Sequence, residues 1–403
     1  MIEAKGFAAT MPHSISPRPA PTPTMQRIAV LGSTGSVGRQ ALDVVKAHPG
    51  AFEVEILAAG SNVRELAEQV FAFRPRKVLI ADPSCHAALQ DAVRGTATEV
   101  LSGAAAIASA AADPKVDCVV AAITGVAGLP ASLAAVRAGK RLALANKESM
   151  VVAGPLLQAS AKESGAVILP VDSEHSAIFQ CLMSGRHSEI RRMILTASGG
   201  PFRTRARETF DAITPAEALR HPTWNMGPKI SVDSATMMNK ALEIVEARYL
   251  FDVNVEQIAV TVHPQSIVHS MVEFIDGTVM AQMSPADMRL PLRYALSWPQ
   301  RWSADAPGFS PTTFAQLHFE DPDESKFPAL RLGRLAAQRG GTAGSVLNAA
   351  NEVAVALFMS GKIRFPEIAE RVGRALEQHR VVDAPDLEQI MTADREAREE
   401  VLR

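Results

Sequence analysis

From Arg27 to Leu169 short apolar runs alternate with alanine-rich segments, and no other feature restricts the possible folds as much. The runs are 27–31, 53–59, 77–81, 117–123, 141–145 and 166–169. Strands covered on both faces read as continuous apolar runs, and strands alternating with helices build a parallel sheet. The expected fold class is therefore α/β, beginning with a Rossmann-like domain.

The first run leads into Gly32-Ser33-Thr34-Gly35-Ser36-Val37-Gly38, and a helix is expected over about 39–47. In this arrangement the backbone amides at a helix start receive a pyrophosphate. The spacing is G-x-x-G-x-x-G, and a turn shaped by packing alone would look the same. The second run ends in Gly60-Ser61-Asn62-Val63-Arg64. An NAD-specific fold usually places an acid here for the ribose hydroxyl; none is present, and Arg64 is nearby, which favours NADP. The run over 141–145 delivers Asn146-Lys147-Glu148 to the rim where such sheets bind ligands. A solvated surface lysine is the other reading of Lys147.

Past the last run comes Pro170-Val171-Asp172-Ser173-Glu174-His175. In an extended chain residues i and i+2 point the same way, so Asp172 and Glu174 are expected to converge from the strand's end. Converging carboxylates repel unless a proton or cation separates them, and all-oxygen ligation suits Mg²⁺ or Mn²⁺. Asp172 acting only as the cap of a helix over 176–182 is the alternative, and these residues alone leave both open.

Farther on, Ala197-Ser198-Gly199-Gly200-Pro201 ends a strand with paired glycines that let a backbone approach a ligand, or that form a plain tight turn. Two prolines and a glycine in 219–228 forbid regular structure there. Trp224 and Met226 on such a loop suggest a lid, against a loop pinned by Trp224 into its own core. One helix is expected over about 234–250, with Ser234 as its N-cap and an anion at its first-turn amides. Met238, Leu242, Val245 and Tyr249 form its apolar stripe, while Thr236, Asn239, Lys240 and Glu243 share a polar face. That face is either solvated or a site. Strands over 258–263, 266–274 and 277–283 form a small second sheet, and helices over 328–338, 345–359, 366–378 and 392–402 form a terminal bundle.

At 403 residues the chain has room for two or three domains, and a net charge of −2 points away from nucleic acid and anionic membranes. No apolar run approaches the roughly 20 residues of a membrane span. The three cysteines, Cys85, Cys118 and Cys181, show no metal or redox spacing and read as reduced thiols of a cytoplasmic protein. Residues 11–24 are rich in Pro, Ser and Thr without an apolar core, so 1–24 reads as a disordered extension or as codons upstream of a start at Met25.

Taken together, GSTGSVG at Gly32, LANKES at Leu144, LPVDSEHSAIFQ at Leu169, ASGGPF at Ala197 and HPTWNMGPKISVDSATMMNKALEIVEAR at His221 closely resemble the 1-deoxy-D-xylulose 5-phosphate reductoisomerases. HPQSIVHSMVEF at His263 and LNAANEVAVA at Leu347 extend the resemblance, which covers about 26–403. It implies a homodimeric, metal-dependent NADPH enzyme acting on a sugar phosphate in non-mevalonate isoprenoid synthesis. The implied units are an NADPH-binding domain over 25–171, a catalytic domain over 172–297 with a lid at 218–228, a linker over 298–323 and a helical domain over 324–403. Asp172, Glu174 and Glu243 would ligate Mn²⁺ or Mg²⁺, with Co²⁺ a third candidate. Ser198, Ser234, Asn239 and Lys240 would hold the substrate's phosphate and hydroxyls, with Ser173 near its carbonyl. Lys147 would contact substrate, and His221 and Trp224 would close over it. Thr34, Gly35, Ser36, Val37, Gly60, Ser61, Asn62, Asn146, Glu148 and Gly227 match cofactor positions. Ser61 stands where some relatives carry a lysine for the 2′-phosphate, and Arg64 is the candidate replacement.

Two competing readings have discriminating residues. A semialdehyde dehydrogenase needs an activated cysteine, whereas Cys118 and Cys181 lie in apolar segments. A catalytically dead NADP sensor would be signalled by the loss of one of the three acids, and all three are present.

Overall fold

The computed structural model describes residues 25–224, 226–303, 312, 314 and 316–403. The expected extension over 1–24, and much of the Pro-containing part of the linker, lie outside these residues. Seven parallel strands open the fold: β1 (Gln26–Leu31), β2 (Phe52–Ala59), β3 (Lys77–Ile80), β4 (Glu99–Ser102), β5 (Cys118–Ala121), β6 (Arg141–Leu144) and β7 (Val167–Pro170). Helices α1 (Ser36–Ala47), α2 (Val63–Phe73), α3 (His86–Ala92), α4 (Ala104–Ala111), α5 (Leu129–Arg137) and α6 (Lys147–Ser164) alternate with them. The order β4-β3-β2-β1-β5-β6-β7 reverses direction beside β1, and such a switch point opens a crevice at the carboxyl ends of the strands. Strand β4 went unread because Glu99-Val-Leu-Ser is short and polar at both ends.

The chain then crosses through α7 (Ser173–Leu182) to a four-stranded sheet of order β11-β10-β8-β9. Its strands are β8 (Ile190–Ala197), β9 (Ile258–Val262), β10 (Val268–Phe274) and β11 (Val279–Met283). Helices α8 (Pro215–Ala218), α9 (Pro228–Ala235), α10 (Met238–Phe251) and α11 (Arg289–Ser297) complete this part. A bundle of α12 (Ala329–Arg339), α13 (Ala343–Met359), α14 (Glu367–Gln378) and α15 (Leu387–Leu402) ends the chain.

Two expectations change here. Glu174 does not extend a strand: β7 stops at Pro170 and Glu174 sits in the first turn of α7, so its convergence with Asp172 comes from a helix start. The single helix over 234–250 is two helices, broken where Met237 turns left-handed at φ 62°. Ser234 therefore lies in the last turn of α9 and caps nothing, and the anion site expected at its amides is absent. The break lets α9 turn toward the Ser198 loop, where a Cβ on Gly200 would sit 2.6 Å from the Ser234 carbonyl oxygen.

Helix α10 lies against α6 and α12 at the centre of the molecule. A Cβ on Gly333 would meet the Ala241 backbone at 2.5 Å, so α12 crosses α10 at close range. Consequently the polar face of α10 is not solvated: Lys240 is 3% exposed and Glu243 0%.

Candidate active site

Three loops at the carboxyl ends of β6, β7 and β8, together with α10, converge on one chamber. Asp172 is the N-cap of α7, accepting a hydrogen bond from the Glu174 amide at 3.4 Å, and it also faces the chamber. Capping and site are thus both true of it. One oxygen each of Asp172, Glu174 and Glu243 lies within 4.8 Å of the other two. The Lys147 ammonium, buried at the start of α6, pairs with Asp172, donates to Asn239 Oδ1 at 3.0 Å and lies 3.3 Å from Glu243 Oε1. Lys240 donates to Glu174 Oε1 at 2.9 Å and pairs with Glu243, whose Oε1 also accepts from Asn239 Nδ2 at 2.6 Å.

Burial pushes the Glu243 carboxyl upward, Glu174 adds to this, and the two ammonium groups oppose it; the net shift is up. Asp172 is driven well below its ordinary value: burial opposes ionisation, but Lys147 prevails. The three carboxylates converge in a largely buried space, with the Lys147 and Lys240 ammonium groups against them. That donor set, three carboxylates and all oxygen, fits a hard divalent cation.

His221, Ser198 and Trp224 form a second group beside it. His221 Nδ1 accepts from the amides of Thr223 at 3.2 Å and Trp224 at 2.9 Å, so its proton belongs on Nε2, which faces Ser198 Oγ at 3.0 Å. Burial lowers the His221 pKa and keeps the ring neutral. Trp224 is partly buried, its indole 6.3 Å edge-to-face from His269 on β10, so it is neither free in solvent nor in a core. Ser234 and Asn239 are the two residues of 231–240 that keep appreciable exposure, and Ser173 donates to Glu174 Oε2 at 2.6 Å. A cleft of about 240 Å³, lined in part by Ser173, His269 and Asp287, opens beside them.

The remaining expected residues gather along the crevice. Thr34 and Gly35 end the β1–α1 turn, with Gly35 as N-cap, and Ser36 and Val37 open α1. A Cβ on Gly38 would stand 2.2 Å from the Gly32 oxygen, so that glycine serves helix–strand packing. Gly60, Ser61 and Asn62 follow β2, with Asn62 capping α2, and Arg64 is exposed next to them. Asn146 caps α6 while its Nδ2 donates to Gly125 O at 3.1 Å and Glu148 Oε2 at 2.8 Å. Gly227 is the N-cap of α9.

Sequence reasoning missed His175 and Glu246. Fully buried His175 has Nε2 3.0 Å from the Glu243 carbonyl oxygen, and Nδ1 3.3 Å from Glu246 and 3.5 Å from Asp172. Both ring nitrogens face acceptors; burial resists charging, but Glu246 and Asp172 overcome it and raise the pKa to about 9. The available signal was the spacing: Glu246 is one turn beyond Glu243, and His175 immediately follows Glu174. The thiols of Cys118 and Cys181 are not activated, since burial pushes Cys118 up to about 12 and Cys181 to about 11.

Family models described as 1-deoxy-D-xylulose 5-phosphate reductoisomerase match residues 28–154, its C-terminal domain 168–251, and a further DXP reductoisomerase C-terminal domain 283–400. A reductoisomerase of that name from Heliobacterium modesticaldum is 50% identical over 376 residues, spanning 93% of this chain and 96% of that protein. The one from Xanthomonas axonopodis pv. citri is 51% identical over 380 residues, spanning 93% and 95%. Among solved structures, the Zymomonas mobilis reductoisomerase in complex with NADPH is 44% identical with a TM-score of 0.89, covering 94% of this chain and 98% of that one. A DOX-P reductoisomerase with NADPH, fosmidomycin and magnesium matches at 40% identity and a TM-score of 0.88, with the same coverage.

Proposed function

The chain belongs to the 1-deoxy-D-xylulose 5-phosphate reductoisomerase family, and on that premise we propose how its own residues divide the work of the reaction. That reaction converts 1-deoxy-D-xylulose 5-phosphate to 2-C-methyl-D-erythritol 4-phosphate by skeletal rearrangement followed by hydride transfer from NADPH. The observation that carries the assignment is the buried chamber in which Asp172, Glu174 and Glu243 meet Lys147 and Lys240.

Asp172, Glu174 and Glu243 are the residues that would hold a divalent cation. When bound, the cation supplies a Lewis acid and NADPH supplies a hydride. Lys240 and Asn239 stay beside the carboxylates and orient the substrate hydroxyls, with Ser173 at the carbonyl end. Lys147, at the start of α6 and one residue from the cofactor turn, keeps a positive charge against the developing oxyanion. Ser198 and Ser234 take the phosphate, and this remote contact supplies orientation. Neutral His221 donates through Nε2 on the Ser198 side, and Trp224 covers the chamber and excludes water. Residues 218–228 act as the lid that brings both into place. Thr34 to Val37, Gly60 to Asn62, Asn146, Glu148 and Gly227 line the cofactor crevice, where exposed Arg64 answers the 2′-phosphate in place of the lysine absent at Ser61.

The same reading divides the chain at 171, 297 and 323 into cofactor, catalytic, linker and helical units. No helix among the described residues is long and apolar enough to cross a membrane. The three free thiols fit a reduced, cytoplasmic setting. A homodimer fits the exposed edge of β11, where Val279 and Met280 are 48% and 39% exposed. Incubation with 1-deoxy-D-xylulose 5-phosphate, NADPH and Mn²⁺ tests the function: nicotinamide absorbance should fall in proportion to branched polyol phosphate formed. Absence of substrate-dependent oxidation with Mg²⁺, Mn²⁺ and Co²⁺ alike would overturn it.

A further inference from the structure

The segment Leu347-Asn348-Ala349-Ala350-Asn351-Glu352 on α13 takes no part in the chemistry above, yet it sinks polar side chains into a helix bundle. Asn351 is 0% exposed, and a buried carboxamide destabilises unless it is hydrogen-bonded. Its Nδ2 donates to Asp233 Oδ1 at 2.8 Å. Asp233, 1% exposed on α9, presents its second oxygen to Lys229 Nζ at 2.7 Å. The same ammonium lies 3.7 Å from Glu148 Oε1, while Glu148 Oε2 accepts from Asn146. Asn146 in turn holds the Gly125 carbonyl, and a Cβ on Gly125 would meet Glu352 Oε1 at 3.1 Å. Glu352 is itself fixed by Arg398 of α15 at 2.5 Å.

A continuous polar chain therefore starts in the terminal bundle and passes through α9 to the turn after β6. It runs one residue from Ser234 and two from Gly227. We propose that Lys229, clamped between Asp233 and Glu148 and backed by Asn351, is a positioning residue that holds the cofactor turn and α9 in one register. The C-terminal bundle thereby sets cofactor affinity without touching the cofactor. This rests on the assignment of Asn146, Glu148 and Gly227 to the cofactor crevice.

The geometry favours positioning over simple charge compensation. Asp233 already has one buried donor in Asn351, and its pair with Lys229 lies within α9; it is the approach of the same ammonium to Glu148, in the first turn of α6, that ties α9 to a second element. Burial works against the Lys229 charge, but Asp233 and Glu148 more than offset it, so the ammonium stays charged.

Two titrations on the intact protein test the idea, NADPH by nicotinamide fluorescence and Mn²⁺ by electron paramagnetic resonance. Lys229→Met should weaken NADPH binding on the order of tenfold, the scale of one lost charge-assisted contact, while Mn²⁺ affinity stays within about twofold. Lys229→Arg should retain most of the NADPH affinity, and Asn351→Leu should shift it in the same direction as Lys229→Met. Because Lys229→Met leaves Asp233 without its cation, the paired Lys229→Met/Asp233→Asn variant removes both charges and should show the same NADPH loss. Parent-like NADPH binding by the paired variant would overturn the proposal, since Lys229 would then only neutralise Asp233. Parallel loss of NADPH binding, Mn²⁺ binding and thermal stability in the paired variant would also overturn it. Neither titration needs turnover, so a parent that binds NADPH without reducing substrate would end the functional assignment and leave this test readable.

Discussion

At the scale of single residues, Glu243 bears the heaviest load in the chamber. It is fully buried, pairs with both lysines, accepts from Asn239, and is pushed toward protonation by burial and by Glu174. Glu243→Gln preserves shape and the Asn239 neighbourhood but removes one anionic ligand. Mn²⁺ affinity should fall by at least about 100-fold, the upper end of what even outer partners of a metal cost, and turnover should fall with it. NADPH affinity should stay as in the parent, because the crevice at the ends of β1 and β2 is separate. Manganese paramagnetic resonance and nicotinamide fluorescence measure the two, and undiminished turnover by the variant in chelator-treated buffer would remove Glu243 from the metal set. Asp172 and Glu174 were expected to converge from their spacing on a strand; they do converge, but at a helix start, and Glu243 was expected from the resemblance. His175 and Glu246 were not legible, because a histidine after two acids and an acid on a helix look like solvated residues until α10 is known to be buried on every side.

At the scale of elements, what could be read was the strand alternation, since every strand of the parallel sheet except the short, polar-ended β4 is dominated by apolar residues. The break between α9 and α10 could not be read: Met237 has good helical propensity, yet it is left-handed in the fold, between α10 and an α9 whose Ser234 carbonyl packs against the Gly200 turn. The loop over 219–228 was legible as irregular from its prolines, and its partner His269 only from the fold. Trp224→Ala removes a half-buried indole at a rim, so unfolding free energy should change by no more than about 1 kcal/mol. Substrate use should suffer far more, seen as a raised KM and a lowered kcat at saturating NADPH. Unfolding of that variant would mean Trp224 is a core residue and the loop no lid. Strands β2 and β3 offer a pH test away from the chamber. Asp113, 8% exposed at its side chain, accepts from Arg76 at 2.7 Å and Lys77 at 3.0 Å, and Arg76 also holds Glu55. Burial raises the Asp113 pKa, but the two cations and the Lys115 amide more than reverse this and hold it low. A depressed carboxylate stabilises above its unfolded value of about 3.9, and that stabilisation fades as pH falls through the lower folded value. Asp113→Asn should thus cost roughly 1–3 kcal/mol at neutral pH, with the gap to the parent narrowing below about pH 4. Denaturant unfolding at several pH values checks the slope, and a gap that widens in acid would contradict it.

At the scale of the whole molecule, the chamber lies where the carboxyl ends of β6 and β7 meet α10, and the small sheet stands beside it with β11 at one edge. Among the described residues β11 pairs only with β10. An exposed strand edge with apolar side chains is a template for pairing, and natural monomers blunt such edges with charge or proline. Here Val279 and Met280 remain exposed, and Ile275 in the preceding turn is 67% exposed, with no lysine or proline on the strand. Burying these side chains against a second copy contributes roughly 25 cal/mol per Å², and two-fold symmetry would place the same patch opposite itself. Sedimentation should therefore give a particle of about twice the 43.0 kDa chain mass at micromolar concentration. Met280→Lys puts a desolvated charge opposite its own copy across that axis and should shift the particle toward one chain. Its side chain is not part of the chamber, so Mn²⁺ and NADPH titrations of the variant separate loss of the dimer from loss of the fold. A Met280→Lys protein that sediments like the parent would show that the second copy docks elsewhere, and a parent that sediments as one chain would show that β11 is left open to solvent.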